Sequence, residues 1–222
     1  MSAPLPKAYK DGLQNFYGRD FIVTPDVLIP RPETEQLIDA TLNLAGKAYL
    51  PGVRPRKRVL PTSPKILDVG TGSGCIAITL KLELPECDVC GVDISKDALK
   101  VAQKNAVKHG VNPHLFIISN LLEKVKFTPD LIVANLPYVD ETWDWLDKEA
   151  LGYEPATSLY AENRGLALIF DLIRQASERG VKYLILEADP CQHEEIITFA
   201  KQYDYSAKEI RGFILTLCIP RE

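Results

Sequence analysis

Apolar residues fall along the chain in short, near-continuous runs, separated by stretches in which they recur at helical spacing. The runs predict strands near 65–70, 88–94, 114–119, 130–136, 183–188 and 213–219, and the periodic stretches predict helices near 74–84, 96–109, 164–179 and 191–203. Ser95 before Lys96-Asp97-Ala98-Leu99 reads as a helix N-cap, and Gly110 as the end of that helix. Strands apolar on both faces, alternating with amphipathic helices, imply an α/β fold: a mostly parallel, doubly wound sheet with helices on both sides. Ligands of such sheets sit beyond the C-terminal strand ends, where the strand order reverses. Gly70, Asp93, Asn120 and Asn135 all fall at such ends.

The first 64 residues follow a different pattern. Residues 1–20 show no periodicity and are expected as an N-terminal arm, with one domain over 21–222. Thr24-Pro25-Asp26 lies between the apolar runs Phe21-Ile22-Val23 and Val27-Leu28-Ile29, which predicts a hairpin. Pro30 and Pro32 bracket Arg31 and hold it extended, and Leu37, Ile38, Leu42 and Leu44 then predict a first helix from about Glu33 to Ala48. Residues 51–64 read as a linker loop carrying the basic run Arg54 to Arg58.

Between strand and helix stands Gly70-Thr71-Gly72-Ser73-Gly74. Glycines let the backbone approach a ligand closely, and the following helix offers unpaired amide hydrogens. A dinucleotide fingerprint needs glycines at the first, third and sixth places, but the sixth place here is Cys75. The spacing argues against a nicotinamide cofactor. An acidic residue before the turn, Asp68, and another at the end of the next strand, Asp93, instead match the pattern of S-adenosylmethionine methyltransferases. In that pattern the turn receives the amino-acid end of the cofactor, and the second carboxylate accepts from both ribose hydroxyls. A tight strand-to-helix turn with Asp68 as its capping carboxylate remains the alternative.

Composition narrows the partners. The 222 residues are 46% hydrophobic and 25% charged, with a net charge of −4, enough for one core and without global attraction to polyanions. No apolar run approaches a membrane span, and the N-terminus has no hydrophobic leader core, so a cytoplasmic location is expected. The five cysteines fit a reducing compartment, Cys87 and Cys90 lack a second pair to make a zinc site, and the three histidines are dispersed, so no metal is expected. The four positive charges of the Arg54 to Arg58 run offer a contact for RNA or an acidic partner, but the run has no interleaved aromatic residues to stack on bases and reads as a solvated loop.

The run 130–136 delivers Asn135-Leu136-Pro137-Tyr138, which resembles the N-P-P-Y signature of methyltransferases acting on planar nitrogens, with Leu136 in place of the first proline. An amide nitrogen is a poor nucleophile because its lone pair is delocalised. The Asn135 side-chain oxygen and the Leu136 carbonyl can accept its two N–H bonds while the Tyr138 ring lies against the planar group. The set IPRPETE, LDVGTGSGCIAI, VDIS, NLPY and Glu154-Pro155 resembles the HemK/PrmC-type peptide chain release factor glutamine methyltransferases, over most of residues 18–190.

That resemblance implies a Rossmann-like class I fold with an antiparallel last strand, and transfer of a methyl group from S-adenosyl-L-methionine. The acceptor it implies is the side-chain amide of the GGQ glutamine in a class I peptide chain release factor. It also implies that Gly70, Thr71, Gly72, Ser73, Gly74 and Asp93 hold the cofactor, that Asn120 and Leu121 lie by its adenine, and that Asn135, Leu136, Pro137 and Tyr138 hold the glutamine. The chain departs from the family in three places. About twenty residues precede Phe21 where the family has a helical domain, Asn120 stands where a carboxylate is usual, and Glu209 to Phe213 differs from the usual ending. Two other readings stay open: a nucleic-acid exocyclic-amine methyltransferase, and a non-catalytic S-adenosylmethionine-binding module. Trp143 and Trp145 can wall the acceptor side or serve as packing anchors, and Glu187 reads as structural.

Overall fold

The computed structural model describes residues 4–47, 57–144 and 146–220. Its centre is a seven-stranded sheet of β3 (Lys65–Val69), β4 (Asp88–Asp93), β5 (Phe116–Ile118), β6 (Leu131–Ala134), β7 (Tyr183–Glu187), β8 (Ser206–Arg211) and β9 (Ile214–Cys218), in the order β5-β4-β3-β6-β7-β9-β8. The pairs from β5 to β7 are parallel, and β9 runs antiparallel between β7 and β8. The antiparallel last strand is therefore present. The added edge strand β8 escapes the sequence reading because Ser-Ala-Lys-Glu-Ile-Arg is polar and largely exposed, as suits an edge that must not pair further.

Successive side chains of a strand face opposite sides, and each side here has its own helices. Ile66, Leu131, Val133 and Ile185 pack against α2 (Glu35–Leu44), α3 (Cys75–Glu83) and α4 (Lys96–Lys108). Leu67, Val69, Ile132, Leu184 and Leu186 pack against α6 (Ala167–Glu178) and α7 (His193–Ala200). The Ser95 cap is present, its side chain accepting from Ala98 N at 3.1 Å. From β3 the chain winds outward through β4 to β5, then crosses to the other side of β3 to make β6. The reversal opens a crevice over the C-terminal ends of β3 and β6.

The N-terminal expectations need correcting. The hairpin is β1 (Leu13–Phe16) with β2 (Arg19–Ile22), turned at Tyr17-Gly18, where both φ angles are positive (50° and 72°) as a two-residue hairpin turn requires. The sequence reading placed it at 21–29 because the Thr-Pro-Asp signal there is the louder one. Residues 7–20 are also more than an arm. Phe16 and Phe21 are buried in the main core, while α1 (Lys7–Asp11) docks through Tyr9, whose hydroxyl donates to Val27 O at 2.7 Å. The first helix is shorter than expected: a 3-10 turn at Pro32–Thr34 leads into α2, which stops at Leu44. Residues 48–56, with the first part of the expected linker and Arg54 to Arg56 of the basic run, lie outside the described residues.

Candidate functional site

Over the reversal point lies a cleft of about 670 Å³, a volume in the usual range for small-molecule sites. Gly70 to Ser73, Asp93, Asn120, Leu121 and Asn135 to Pro137 all line it, so four stretches far apart in sequence meet at one opening.

The turn is held by carboxylates on both sides. Gly70 N and Thr71 N donate to Val92 O, both at 2.9 Å, and curl the turn over the end of β4. Asp68 is fully buried beneath it, accepting from Thr71 Oγ1 at 2.6 Å and from Ala77 N at 3.1 Å, which staples the turn to the first turn of α3. Asp68 is therefore the capping carboxylate, and burial pushes its pKa up to about 7 against those donors. At Gly70 φ is +75°, and a Cβ would stand 3.0 Å from Leu136 Cδ2. Leu136, which stands at the first proline place of the N-P-P-Y pattern, is itself buried there and anchors the loop against the turn.

Asp93 faces the turn from β4. One oxygen accepts from Gly72 N and the other from Ser95 N, both at 2.9 Å. Each oxygen keeps a further lone pair for a ligand. Burial raises the Asp93 pKa while the backbone donors lower it. Ser73 Oγ, on the cleft wall, is buried without a hydrogen-bond partner, and Ile94 exposes 68% of its surface beside Asp93. A buried donor in want of an acceptor, a carboxylate for a diol and an apolar ledge for a flat ring fit the amino-acid, ribose and adenine parts of S-adenosylmethionine. Asn120 is exposed at the rim, its amide donating to Glu123 Oε1 at 2.9 Å.

β6 brings in the other half. Asn135 Nδ2 donates to Thr34 Oγ1 at 3.0 Å, on the residue just before α2. Behind it Tyr138 Oη donates to Glu187 Oε1 at 3.2 Å, and Gln192 Nε2 donates to both Tyr138 O (2.8 Å) and Arg164 O (2.9 Å). Gly165, with φ +83°, lies so close that a Cβ would collide with the Tyr138 carbonyl. Arg31 is extended as expected, with φ −98° and ψ 147°, and pairs with the buried Glu154, which also accepts from Ile29 N at 3.1 Å. That pair fixes the IPRPETE segment as one wall of the cleft.

Two expected site residues stand off the cleft. Gly74 faces inward, its missing Cβ occupied by Phe116, Ala102 and Ile78, and Tyr138 packs behind the loop with its hydroxyl on Glu187. The wall also includes Pro25 to Leu28, Thr157, Ser158 and Tyr160 to Glu162, which no site motif marked; beneath the turn, the absent side chain of Gly91 makes room for Thr71 and Phe116. Trp143 is half-buried away from the cleft lining, and Trp145 lies outside the described residues. Cys87 and Cys90 are buried with thiol pKa values pushed up to about 11 by burial, and among the described residues no group of three or more His, Cys, Asp or Glu is placed to hold a metal. Arg58 is turned onto its own loop, donating to Pro61 O and Thr62 O at 3.1 and 2.8 Å. No helix among the described residues is long and apolar enough to cross a membrane.

A family model described as "Methyltransferase small domain" matches residues 55–147. A release factor glutamine methyltransferase from Koribacter versatilis is 43% identical over 176 residues, covering 78% of this chain and 58% of that protein. A bifunctional methyltransferase from Rickettsia typhi is 39% identical over 217 residues, covering 92% of this chain and 42% of that protein. The chain thus spans about half the length of the curated relatives it matches. Among solved structures, a methyltransferase from Pyrococcus furiosus superposes with a TM-score of 0.63 over 92% of this chain and 91% of that one, at 16% identity, a likeness of fold.

Proposed function

We propose, from the premise that the chain belongs to the HemK/PrmC-type methyltransferases, that it methylates the side-chain amide of the GGQ glutamine in a class I peptide chain release factor. The proposed setting is the cytoplasm. The observation that carries the reading is the meeting of Gly70 to Ser73, Asp93 and Asn135-Leu136 in one cleft. When bound, S-adenosylmethionine supplies a methyl group on a sulfonium; transfer breaks one S–C bond, forms one N–C bond and releases one amide proton.

The rest falls to this chain's own groups. The unpartnered Ser73 hydroxyl, set in the Gly70 to Ser73 turn, holds the amino-acid end, and the Asp93 carboxylate holds the ribose hydroxyls. Asn135 uses its Nδ2 on Thr34, which leaves Oδ1 to accept an N–H of the incoming amide, and the Leu136 carbonyl takes the other. Held by both N–H bonds, the planar group presents its nitrogen to the methyl, and placement supplies most of the acceleration. Tyr138 acts from behind by bracing this loop.

Charge favours a protein acceptor over a polynucleotide. The cleft wall carries Asp26, Asp93, Asp97 and Glu162 against Arg31, whose charge is already matched by Glu154. A phosphate chain entering there would meet repulsion rather than the cationic contacts that such binding needs. Incubating the chain with methyl-labelled cofactor, a class I release factor and bulk RNA tests the reading. Label on the release factor supports it, and label on the RNA or on neither overturns it.

A further inference from the structure

Gln192 stands immediately before α7, 5% exposed, and its side-chain amide spends both of its donors across the fold. Nε2 donates to Tyr138 O at 2.8 Å and to Arg164 O at 2.9 Å, while Oε1 accepts from Asp189 N at 3.2 Å and completes a capping box. The cap decides which way the amide faces: turned round, it would set an oxygen against two carbonyls and an NH2 against an N–H. A capping box needs only the oxygen, so the two long-range donations are additional to it.

The Tyr138 carbonyl belongs to the peptide unit whose other end, Val139 N, donates to Leu159 O at 2.9 Å. That unit is pinned at both poles, and Val139 pairs with Tyr160 in a parallel bridge. Across from it, Asn163, Arg164 and Gly165 all have positive φ (54°, 55° and 83°), a conformation costly for the first two. These three residues turn Arg164 O onto Gln192 and bring Gly165 against the Tyr138 carbonyl. The acceptor loop and the wall residues Tyr160 to Glu162 thus form one hydrogen-bonded unit, closed by a single buried amide. At its upstream end the loop is held by Asn135 on Thr34, and Pro137 keeps Leu136 extended between the two anchors.

We infer that Gln192 is a positioning residue: by joining the Tyr138 carbonyl to the 163–165 turn, it fixes the direction of the Leu136 carbonyl that takes the acceptor N–H. The use of that carbonyl rests on the proposed function; the clamping of the loop by Gln192 does not. Without the amide, two carbonyls lose a shared donor, and the loop is free to move apart from the wall. Because the wall lines the same cleft, an acceptor segment seated on Tyr160 to Glu162 is held in register with the nitrogen presented at Leu136.

The test combines hydrogen exchange, read by NMR on the labelled full chain, with transfer kinetics. In the wild type both side-chain N–H protons of Gln192 should exchange roughly tenfold or more slowly than those of the exposed Gln103. Unprotected Gln192 protons overturn the inference whether or not any variant folds. Gln192→Met keeps the volume and removes both donors; exchange at Val139 N should quicken roughly tenfold or more, with Thr71 N, bonded to Val92 O, unchanged. Single-turnover transfer to a saturating release factor should fall roughly tenfold or more, while affinity for S-adenosylhomocysteine stays within about twofold. Gln192→Glu, which keeps an oxygen for the cap and loses the same donors, should behave alike and replaces Gln192→Met should that variant fail to fold. Exchange that quickens equally at Val139 and Thr71, or a folded variant that keeps the wild-type Val139 exchange or the wild-type transfer rate, overturns the inference. A Val139 effect with no transfer by the wild type would overturn the proposed function and leave the clamp standing.

Discussion

Asp93 and Asn135 divide the cleft between them, one facing the proposed cofactor and the other the proposed acceptor, and their variants should fail differently. Asp93→Ala removes a carboxylate that also holds Gly72 N and Ser95 N. Its cofactor affinity by calorimetry should fall roughly 10–100-fold, as for loss of a charged hydrogen-bond partner worth about 1.5–3 kcal/mol. Asn135→Ala should leave that affinity within a few fold and lower the single-turnover rate roughly a thousandfold, about 4 kcal/mol of transition-state stabilisation. At Gly165 the backbone angle and the Tyr138 carbonyl both exclude a side chain. Gly165→Ala should therefore lower the transfer rate by displacing the loop, a result readable against unchanged cofactor binding.

Among the elements, the contact with most leverage on the site is made by a residue that no motif marks. Asn105, fully buried on α4, accepts from Ile22 N at 2.7 Å and donates to Ile22 O (2.9 Å) and Ser73 O (2.8 Å). It thereby ties the β1–β2 hairpin to the glycine turn. Asn105→Ala strands three backbone groups, and a loss of about 2–4 kcal/mol of unfolding free energy in urea is expected, together with weaker cofactor binding. Sequence alone could not show this, because a polar residue on a helix reads as solvent-facing until its partners are known. The same limit applies to Glu187 and Gln192, whose importance comes from what lies across from them. The glycine turn, Asp93 and Asn135 were legible because strand ends and turns carry local chemical signatures. The hairpin was misplaced and β8 missed because Tyr17-Gly18 and a charged edge strand carry faint ones.

At the scale of the whole molecule, two buried carboxyls give stability a pH dependence. Asp68 and Glu187 have folded pKa values pushed up to about 7, above the ordinary range of carboxylates in an unfolded chain. Between the two ranges the folded state binds more protons, so their contribution is present at low pH and is lost as pH rises toward 7. Thermal unfolding should show Tm falling across that window, and Asp68→Asn should flatten the fall. The proposed function and the cleft lead to one central claim, that a glutamine side chain and a sulfonium cofactor share this site. A crystal structure of the chain with S-adenosylhomocysteine and a Gly-Gly-Gln peptide tests it most directly. The expected result is the glutamine nitrogen facing the cofactor sulfur, with its N–H bonds on Asn135 Oδ1 and the Leu136 carbonyl. A cofactor bound away from Gly70 to Ser73, or a glutamine seated elsewhere than on Asn135, would contradict it.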